Sequence, residues 1–453
     1  MLRAALAILT LASTVFARQP NVVLILADDL GYADLGCFGS STIQTPHLDK
    51  LAAEGVKGTS FYVSQAVCSA SRASLMTGCY ANRVGMQGAL NHTSREGLNP
   101  SEWTLPEMLK EKGYATAAFG KWHLGTRMMF HPMKNGFDEF LGIPYSNDNT
   151  KYHPSLAKEM PPLPLYDGLK VIETDPDQSL FTQRFTERAV AFIERHKAEP
   201  FFLYYPMMLT HEPFQPTPDS PDWDPTAEGE AVHRDARHFA AMVEYMDKLV
   251  GRLDARLAEL GIRDDTLVLF MGDNGTAERI TSRFRGADVR GGKSTTTHRG
   301  THVPLIVSWP AAIAADGVNG DLIAAVDVLP TLCAAAGVAA PAACDGVSFL
   351  PQLRGQAGTP RQWIYAWYSP RQRHDPTLRE YAFDEHHKLY RDGRLFDLAA
   401  DPEEAAPLPA DGRAEPAVVA AIKLQAVLDR FQGARPEQLE REFEAARRAA
   451  GRR

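Results

Sequence analysis

The sequence predicts an α/β fold in which a large mixed, mostly parallel sheet is sandwiched by helices and is followed by a smaller C-terminal antiparallel sheet with a helix. Apolar runs of strand length alternate with amphipathic segments of helical length up to about residue 355. Each apolar run leads into a cluster of polar residues. Beyond residue 355 the pattern changes to short strands joined by an Asp392-Gly393 turn, which is typical of antiparallel pairing.

Four apolar runs predict buried parallel strands, because parallel strands covered on both faces are apolar throughout instead of alternating. They span residues 21–27, 114–120, 201–205 and 266–271. In open sheets of this class, ligands bind outside the carboxyl ends of the strands. We therefore expect the polar residues that follow these runs to form the functional site.

The segments between the strands show apolar residues at three- and four-residue spacing, which predicts helices packed on the sheet. The predicted helices span residues 46–54, 105–112, 182–196 and 234–260, and Gly55, Gly113 and Gly261 follow three of them as stop signals. Residues 144–180 and 212–232 are rich in Pro, Asp and Asn and lack periodicity. We expect both to be long loops that wall a substrate pocket.

The chain of 453 residues is predicted to contain a signal peptide (1–17), a large α/β domain (18–355) and a C-terminal subdomain (356–453). Within the C-terminal subdomain, the sequence predicts a helix at residues 416–431 and a charged tail. The signal peptide combines Arg3 with an apolar stretch and a small-x-small cleavage pattern ending at Ala17. A buried helix or a membrane anchor is the alternative, but the stretch is short for a bilayer span. No later run of about 20 apolar residues exists. We therefore expect an exported protein, periplasmic or secreted, without a membrane partner.

Composition is ordinary for a soluble globular protein, with 44% hydrophobic and 23% charged residues. The formal net charge of -8 argues against nucleic acid as the main partner. Five cysteines make an odd count for an export-bound chain, which leaves at least one unpaired or otherwise used. Cys333 and Cys344 are close enough in sequence to close a small loop, and their pairing stays open.

Two acidic clusters follow predicted strands and offer only oxygen ligands. Asp28 and Asp29 follow the first run, and Asp273 and Asn274 follow the fourth. Such ligands suit a hard divalent cation, Ca²⁺ or Mg²⁺, and do not favour Zn²⁺. A solvated turn or a helix cap is the alternative for a single Asp-Asp pair, but two such clusters, each directly after a predicted strand, favour a metal site, because neighbouring strand ends could bring them together.

Five cationic or titratable residues form a second group: Arg72, Lys121, His123, His211 and Lys293. Singly, each is more often a surface or core residue. Together with a divalent cation they would cradle a tetrahedral oxyanion and stabilise charge that develops during group transfer. A helix beginning near residue 71 would add its N-terminal N–H groups to that field.

The stretch CSASRASLMTG, which begins at Cys68, resembles the signature of the type I sulfatases, the arylsulfatase family within the alkaline phosphatase superfamily. The stretches NVVLILADDLGYADLGCFG, GKWHLG, GIPYSNDN, THEPF, GDNG, GGKSTTTHRGTHVPLIVSWP and LFDLAADPEE occur in that family's order, so the resemblance covers most of the chain. It implies an alkaline-phosphatase-like fold and the activity of a sulfuric ester hydrolase on a sulfated carbohydrate or an aryl sulfate.

The resemblance also implies that Cys68 is not used as a thiol. In that family a maturation enzyme oxidises this cysteine to formylglycine before folding, and the aldehyde hydrates to a geminal diol. One hydroxyl of the diol, held on the metal and activated by Asp273, would attack sulfur, and collapse of the diol would later expel sulfate. By this resemblance residue 68 joins Asp28, Asp29, Asp273 and Asn274 as a metal ligand.

The remaining roles are also implied by the resemblance. Lys121, Lys293 and His211 would hold the sulfate oxygens, with Ser146 lining the site. His211 or Lys293 would protonate the departing alcohol. His123 would take the proton of the second hydroxyl, and Arg72 would stabilise the diol.

Two departures from the family pattern affect these expectations. Ala70 stands where the family commonly has Pro, which bears on how efficiently residue 68 is modified. The stretch from His298 to His302 replaces a Glu-Gly-Gly-x-Arg stretch, and we expect it to add cationic groups near the site.

Two other functions stay open on the sequence. A phosphonate or phosphate ester hydrolase of the same superfamily would use the same formylglycine and metal. A non-catalytic glycan-binding protein would keep an unmodified thiol at residue 68. Tyr145, Tyr152 and Phe214 are candidates for stacking on a sugar ring, with loop core as the alternative.

Overall fold

The structure is a computed structural model that describes residues 19–153, 156–224, 235–371 and 375–450. The predicted signal peptide, residues 1–17, lies outside the described residues. Within them, the strands are β1 Asn21–Ala27, β2 Val56–Gly58, β3 Phe61–Tyr62, β4 Ala115–Lys121, β5 Glu139–Ile143, β6 Pro164–Asp167, β7 Lys170–Thr174, β8 Phe201–Pro206, β9 Thr266–Gly272, β10 Thr281–Phe284, β11 Ala287–Arg290, β12 Leu305–Ser308, β13 Gly317–Asn319, β14 Ile323–Ala324, β15 Ile364–Tyr368, β16 Arg379–Phe383, β17 His387–Tyr390 and β18 Leu395–Asp397.

The α-helices of the described residues carry much of the sheet's covering. They are α1 Pro46–Ala53, α2 Cys68–Thr77, α3 Leu105–Lys110, α4 Phe181–His196, α5 Phe239–Glu259, α6 His298–Thr301, α7 Val328–Ala336, α8 Leu350–Leu353, α9 Glu415–Arg430 and α10 Glu437–Ala450. No helix in the described ranges is long and apolar enough to cross a membrane.

The large sheet has ten strands in the order β13-β2-β12-β9-β1-β8-β4-β5-β6-β7. All four strands predicted from apolar runs lie side by side at its centre, where β9, β1, β8 and β4 pair in parallel. The pairs of β12 with β9 and of β5 with β6 are antiparallel. The predicted mixed, mostly parallel sheet is therefore confirmed.

The two faces of β1 enter two different hydrophobic clusters, because successive side chains of a strand point to opposite faces. Val22, Leu24 and Leu26 pack on one side with residues of α2, α3 and α7. Val23 and Ile25 pack on the other side with residues of α1, α4 and α5. Helices thus cover both faces, which explains why this strand is apolar at every position after Asn21.

The predicted helix at residues 105–112 ends slightly earlier, at Lys110, and α5 begins at Phe239, later than the sequence pattern predicts. Residues 144–180 are not only loop: they contain the hairpin of β6 and β7 at the edge of the sheet. All five residues of β7 are exposed, so the hairpin has no apolar alternation that would predict it. The described part of the predicted loop 212–232 has no helix or strand.

The C-terminal sheet has four antiparallel strands in the order β15-β16-β17-β18, as predicted. The predicted helix at residues 416–431 is α9, and the charged tail forms α10. Tyr365, Tyr381 and Phe396 of the small sheet share one hydrophobic cluster with α2 and α7. The small sheet therefore packs directly on the face of the large sheet that carries α2.

All five cysteines lie in the described part of the chain, and none of them forms a disulfide. Cys333 is buried in the core, while the Cys344 thiol lies 3.2 Å from the Gly78 carbonyl. The pairing of Cys333 with Cys344 that the sequence left open is therefore absent.

Candidate active site

The two acidic clusters come together because β1 and β9 are neighbours in the sheet. Ala27 and Gly272 are paired at the ends of these parallel strands, so the residues that follow them lie side by side. The Asp29 backbone N–H donates to Asp273 Oδ1 at 3.1 Å. Asp28, Asp29, Asp273 and Asn274 are each at most 1% exposed. The strand ends thus concentrate three carboxyl groups and one amide in a water-poor space.

The backbone turns sharply where the site residues leave their strands. Asp29 has a φ of 59° and His123 a φ of 58°, both in the left-handed region that non-glycine residues rarely adopt. Such conformations cost about 1–3 kcal/mol each and persist at functional sites where the surrounding structure imposes them. Both residues follow central strands, β1 and β4.

Residue 68 is delivered to the same place by α2, which begins at Cys68 instead of near residue 71 and ends at Gly78, whose φ is 67°. The Cys68 thiol sulfur lies 4.0 Å from Asp29 Oδ1 and 3.9 Å from Lys121 Nζ. Burial raises the pKa of the Cys68 thiol well above its ordinary value, and Lys121 opposes this only in part. An unmodified thiol here stays protonated at neutral pH and is a poor nucleophile.

Lys121, the last residue of β4, points its amine into the acidic cluster. Its Nζ donates to Asp28 Oδ2 at 2.6 Å and to Ser146 Oγ at 3.1 Å. The Lys121 and Asp28 side chains are completely buried. Burial by itself lowers the pKa of Lys121, but Asp28, Cys68 and Asp273 together outweigh burial, and the pKa lies above its ordinary value. The amine is therefore a fixed positive charge beside residue 68.

Lys293 and His211 form the opposite wall. Lys293 Nζ lies 2.7 Å from Asp29 Oδ2 and 2.9 Å from His211 Nε2. Burial opposes the charge of Lys293, but Asp29 raises its pKa well above the ordinary value, so the ammonium donates to His211 Nε2. The His211 ring then carries its proton on Nδ1, which donates to the Glu212 carbonyl at 2.6 Å.

His123 is held as a neutral base. Its Nε2 donates to the Leu90 carbonyl at 2.8 Å, which leaves Nδ1 as the acceptor nitrogen. Burial, together with the Lys121 charge, lowers the pKa of His123 well below its ordinary value. Nδ1 is buried and has no hydrogen-bond partner among the described residues, so it is free to accept a proton.

Arg72, on the first turns of α2, reaches back under the strand ends. Its Nε donates to Asp273 Oδ2 at 3.0 Å, and its Nη1 donates to the Lys121 carbonyl at 2.6 Å. The guanidinium is fully buried. Arg72 therefore orients Asp273 and the end of β4, and it acts on residue 68 through these neighbours.

The acidic cluster has the donor set that a hard cation needs. Asn274 Oδ1 and Asp28 Oδ1 are buried and accept no hydrogen bond from the described residues. Ligand atoms of Asp28, Asp29, Cys68 and His211 all lie within 4.8 Å of one another. Carboxylate and amide oxygens fit Ca²⁺ or Mg²⁺.

The pKa values of the acidic pair agree with this fit. Burial alone would raise the pKa of Asp28, but Lys121 and its cationic neighbours hold it well below the ordinary value. Burial and the Asp28 charge raise the pKa of Asp273, although Arg72 opposes them. Burial and the Asp28 charge thus disfavour the charged form of Asp273, and a bound divalent cation would stabilise that form.

The stretch 298–302 does not add the expected positive charge at its two histidines. Burial lowers the pKa of His298 to about 3 and that of His302 to about 4. The His302 ring stacks on Tyr32 at 3.9 Å and on Tyr62 at 4.8 Å between ring centroids. Both histidines are therefore neutral aromatic packing residues near neutral pH.

Asp148 is a site residue that the sequence did not single out, although it lies in the stretch GIPYSNDN. His211, Lys121 and a Ser146 hydrogen bond outweigh burial and lower its pKa to about 2. Of the aromatic candidates for sugar stacking, Phe214 is fully buried and packs edge-on against Phe239 at 6.1 Å. Phe214 is thus loop core.

The site and the fold agree with known proteins. A family profile named Sulfatase matches residues 20–338, and one named N-sulphoglucosamine sulphohydrolase, C-terminal, matches residues 293–430. Arylsulfatase A of Homo sapiens is 37% identical over 381 residues, which cover 79% of this chain and 72% of that protein. N-acetylgalactosamine-6-sulfatase of Canis lupus familiaris is 34% identical over 371 residues, covering 77% and 68%. The crystal structure of Ps i-CgsB in complex with k-i-k-neocarrahexaose superposes with a TM-score of 0.75 at 27% identity, covering 93% and 94% of the two chains.

Proposed function

The chain belongs to the sulfatase family and hydrolyses sulfate esters, and we propose that it does so with a formylglycine made from Cys68 and a bound Ca²⁺ or Mg²⁺. We propose a sulfated carbohydrate as the substrate. Similar proteins support this choice, since one is named for an N-acetylgalactosamine sulfate and one solved structure is a complex with a neocarrahexaose.

One observation carries the proposal: residue 68 lies between an acidic cluster and a buried ammonium, yet its thiol is held protonated. The sulfur is about equally far from Asp29 and from Lys121. Burial raises the thiol pKa well above its ordinary value, so the cysteine itself has no useful nucleophilic form there. Conversion to an aldehyde hydrate would place hydroxyl oxygens in the same space, within reach of the carboxylates.

The cation would be held by Asp28, Asp29, Asp273, Asn274 and residue 68. When bound, it supplies Lewis-acid activation of an oxygen nucleophile and neutralises sulfate charge. The chain's own contribution is to fix these ligands. The strand ends set the carboxyl groups side by side, and α2 holds residue 68 against them.

Sulfate binding falls to the side chains that line the two walls. Lys121 with Ser146 forms one wall, and Lys293 with His211 forms the other. Both amines keep their charge because Asp28, Asp29 and the other acidic neighbours together outweigh the effect of burial. Fixed cations of this kind stabilise the charge that gathers on sulfate oxygens during transfer.

Proton transfer is assigned to two groups on the basis of their hydrogen bonds. Lys293 is a charged donor that already shares a proton with His211 Nε2, so this pair protonates the departing alcohol. His123 is neutral with a free Nδ1, so it accepts the proton when sulfate is released from residue 68. Arg72 keeps Asp273 oriented throughout.

The proposal includes maturation and export. A formylglycine-generating enzyme would act on the stretch that begins at Cys68, and residues 1–17 would direct the chain to the periplasm or to the exterior. Residues 18–355 would then form the catalytic domain and residues 356–453 its C-terminal subdomain.

The test is made on protein purified from its native host. A mass spectrum of the peptide with residue 68 is expected to show an aldehyde that reacts with a hydrazide, and sulfated monosaccharides are expected to lose sulfate only with divalent cation present. Faster turnover of phenylphosphonate or nitrophenyl phosphate than of nitrophenyl sulfate would instead favour the phosphonate or phosphate hydrolase. An unmodified thiol in active protein would reject the formylglycine mechanism.

A further inference from the structure

Lys293 stands at the start of a segment whose backbone is tied down from outside. The next residue, Ser294, has a φ of 67°, in the left-handed region that a serine rarely adopts. Its carbonyl accepts a hydrogen bond of 2.8 Å from the Tyr368 hydroxyl of β15. A strand of the C-terminal sheet therefore binds the residue that follows Lys293 in sequence.

Thr296 is held by the same sheet at two atoms. Lys388 of β17 donates from Nζ to the Thr296 carbonyl in a short hydrogen bond. Thr296 Oγ1 donates to the Tyr390 hydroxyl at 2.8 Å. These contacts fix both the backbone and the side chain of a residue three positions after Lys293.

Lys388 itself belongs to a buried charged group that the reaction does not use. Its side chain is completely buried, its Nζ lies 2.7 Å from Glu404 Oε1, and it lies 4.0 Å from the ring centroid of Tyr381. Tyr390 donates to the other oxygen of Glu404. Glu404 is the last residue of LFDLAADPEE, a stretch to which the catalytic proposal gives no task.

Burial of a lysine ammonium lowers the stability of the fold unless its contacts compensate for lost hydration. The contacts of Lys388 therefore indicate its role. Burial lowers the pKa of Lys388 to about 8, with Glu404 opposing the shift. An apolar side chain would fill the same space without the desolvation cost of an ammonium. An apolar side chain, however, could not donate a hydrogen bond to the Thr296 carbonyl, as Lys388 does.

We propose that Lys388 is a positioning residue for sulfate-ester cleavage: through Thr296 it fixes where the Lys293 amine lies relative to Asp29 and His211. This inference rests on the proposed part of Lys293 in protonating the leaving alcohol. Misplacement of a reacting group by about 1 Å can cost about 10²-fold in rate. The C-terminal sheet then contributes to catalysis by positioning Lys293, although it supplies no group that contacts the substrate.

The experiment compares two substrates in the full-length, matured protein. Nitrophenyl sulfate has a good leaving group that needs little protonation, whereas an alkyl sulfate expels an alcohol that needs a proton. We expect Lys388→Met to lower kcat for the alkyl sulfate about 10²-fold and for nitrophenyl sulfate about threefold or less. Lys423→Met is the matched control, because it removes a half-exposed lysine from the same sheet-and-helix unit, and the partner of that lysine is Asp384 and not the segment after Lys293.

Lys293→Ala separates this inference from the proposed mechanism. If Lys293→Ala does not lower kcat for the alkyl sulfate more than for nitrophenyl sulfate, the proposed role of Lys293 is wrong, and the inference about Lys388 is wrong with it. If Lys293→Ala shows it but Lys388→Met lowers both rates equally, or lowers neither, the positioning inference alone is overturned. Should Lys388→Met fail to fold, Tyr368→Phe decides: loss of its single hydroxyl is expected to give the same substrate dependence at smaller size, and equal rates with both substrates would overturn the inference.

Discussion

Two buried charged clusters in this protein differ in how well they are satisfied. In the first, Arg361 binds both carboxylate oxygens of Asp327, and each oxygen also accepts a backbone N–H, from Ala324 and from Val347. We refer to it as the Arg361 cluster. All its carboxylate oxygens have partners, so the charges are neutralised within the protein.

The second cluster lies at the strand ends and contains Asp28, Asp29, Asp273 and Asn274 with Arg72, Lys121 and Lys293. We refer to it as the strand-end cluster. Here Asp28 Oδ1 and Asn274 Oδ1 are buried without a hydrogen bond from the described residues. Buried polar atoms are nearly always satisfied in folded proteins. The Arg361 cluster thus satisfies its buried carboxylate within the protein, whereas the strand-end cluster keeps buried acceptor oxygens that a bound cation could fill.

The largest effect is expected from Cys68→Ala, which removes the proposed nucleophile from the strand-end cluster. Loss of a covalent nucleophile lowers kcat by about 10⁴-fold or more. The measurement is turnover of nitrophenyl sulfate beside a thermal unfolding curve, which should change little. Cys37→Ala, at a partly exposed thiol outside the site, is the control and should keep activity within about twofold. Retention of a hundredth or more of the activity by Cys68→Ala would contradict a nucleophile at this position.

Asp327→Ala should show the opposite behaviour in the Arg361 cluster. It leaves a buried guanidinium unpaired, which lowers the free energy of unfolding by about 3–5 kcal/mol. Denaturant titration measures this loss. Activity per folded molecule should stay within about twofold, since the cluster has no open coordination position. A large fall in kcat at an unchanged free energy of unfolding would contradict the prediction that the Arg361 cluster supports stability and not activity.

Divalent cation should stabilise only the strand-end cluster. At a cation concentration about 100 times its Kd, the free energy of unfolding should rise by about 2.7 kcal/mol. Thermal unfolding with Ca²⁺ or Mg²⁺, after chelation, measures this, and desulfation should be lost and regained in parallel. Asn274→Ala should reduce the response, while Asp327→Ala should keep it. Chelation without effect on either stability or activity would remove the metal from the proposal.

His302 adds a third case to this comparison. Its imidazole is neutral in the fold near neutral pH, and it lowers the stability of the fold only at a pH at which the unfolded chain binds a proton there. The pKa of His302 is about 4 in the fold and about 6.5 in an unfolded chain. The unfolded chain therefore binds the proton first, so this stability is fully present well above pH 6.5 and is lost as the pH falls toward 4, with about 2 kcal/mol lost by about pH 5. Denaturation across this range should show a smaller loss in His302→Phe, with exposed His386→Phe as the control. An identical loss in His302→Phe would rule out this histidine as the cause.

The smallest effect is expected at Asp148, a carboxylate beside the sulfate-binding wall. Its negative charge should disfavour phosphate monoesters, which carry more charge than sulfate esters at neutral pH. Asp148→Asn should raise the ratio of kcat/KM for nitrophenyl phosphate to that for nitrophenyl sulfate about tenfold, an effect of about 1.4 kcal/mol. Exposed Asp177→Asn is the matched control. An unchanged ratio in Asp148→Asn would show that this carboxylate does not select between the two esters.

The central sheet was predictable because its strands are buried on both faces. β1, β8 and β9 are buried at every position and, after Asn21 and Thr266 at the starts of β1 and β9, carry no charged or amide side chain, a pattern typical of a covered strand. The hairpin of β6 and β7 was missed for the opposite reason: at the sheet edge the side chains of β7 face solvent, and no apolar signal remains.

The candidate site was predictable as far as strand ends determine it. Carboxyl ends of parallel strands meet at one edge, so the positions of Asp28 and Asp273 directly after predicted strands placed them at the same edge, while the pairing of β1 with β9 was decided by the tertiary structure. The neutral state of His302 was not predictable, because it depends on the stacked rings of Tyr32 and Tyr62, which come from distant parts of the chain.

By itself the sequence determined the class of chemistry: which residue types stand after which strands, and the stretch around Cys68 that marks a sulfatase. Only the tertiary structure decided the charge and the partner of each group, because pKa values and hydrogen bonds depend on burial and on neighbours far away in sequence. That Lys388 and Glu404 bind the segment beside Lys293 belongs to this second kind, since a contact across about 90 residues leaves no local pattern.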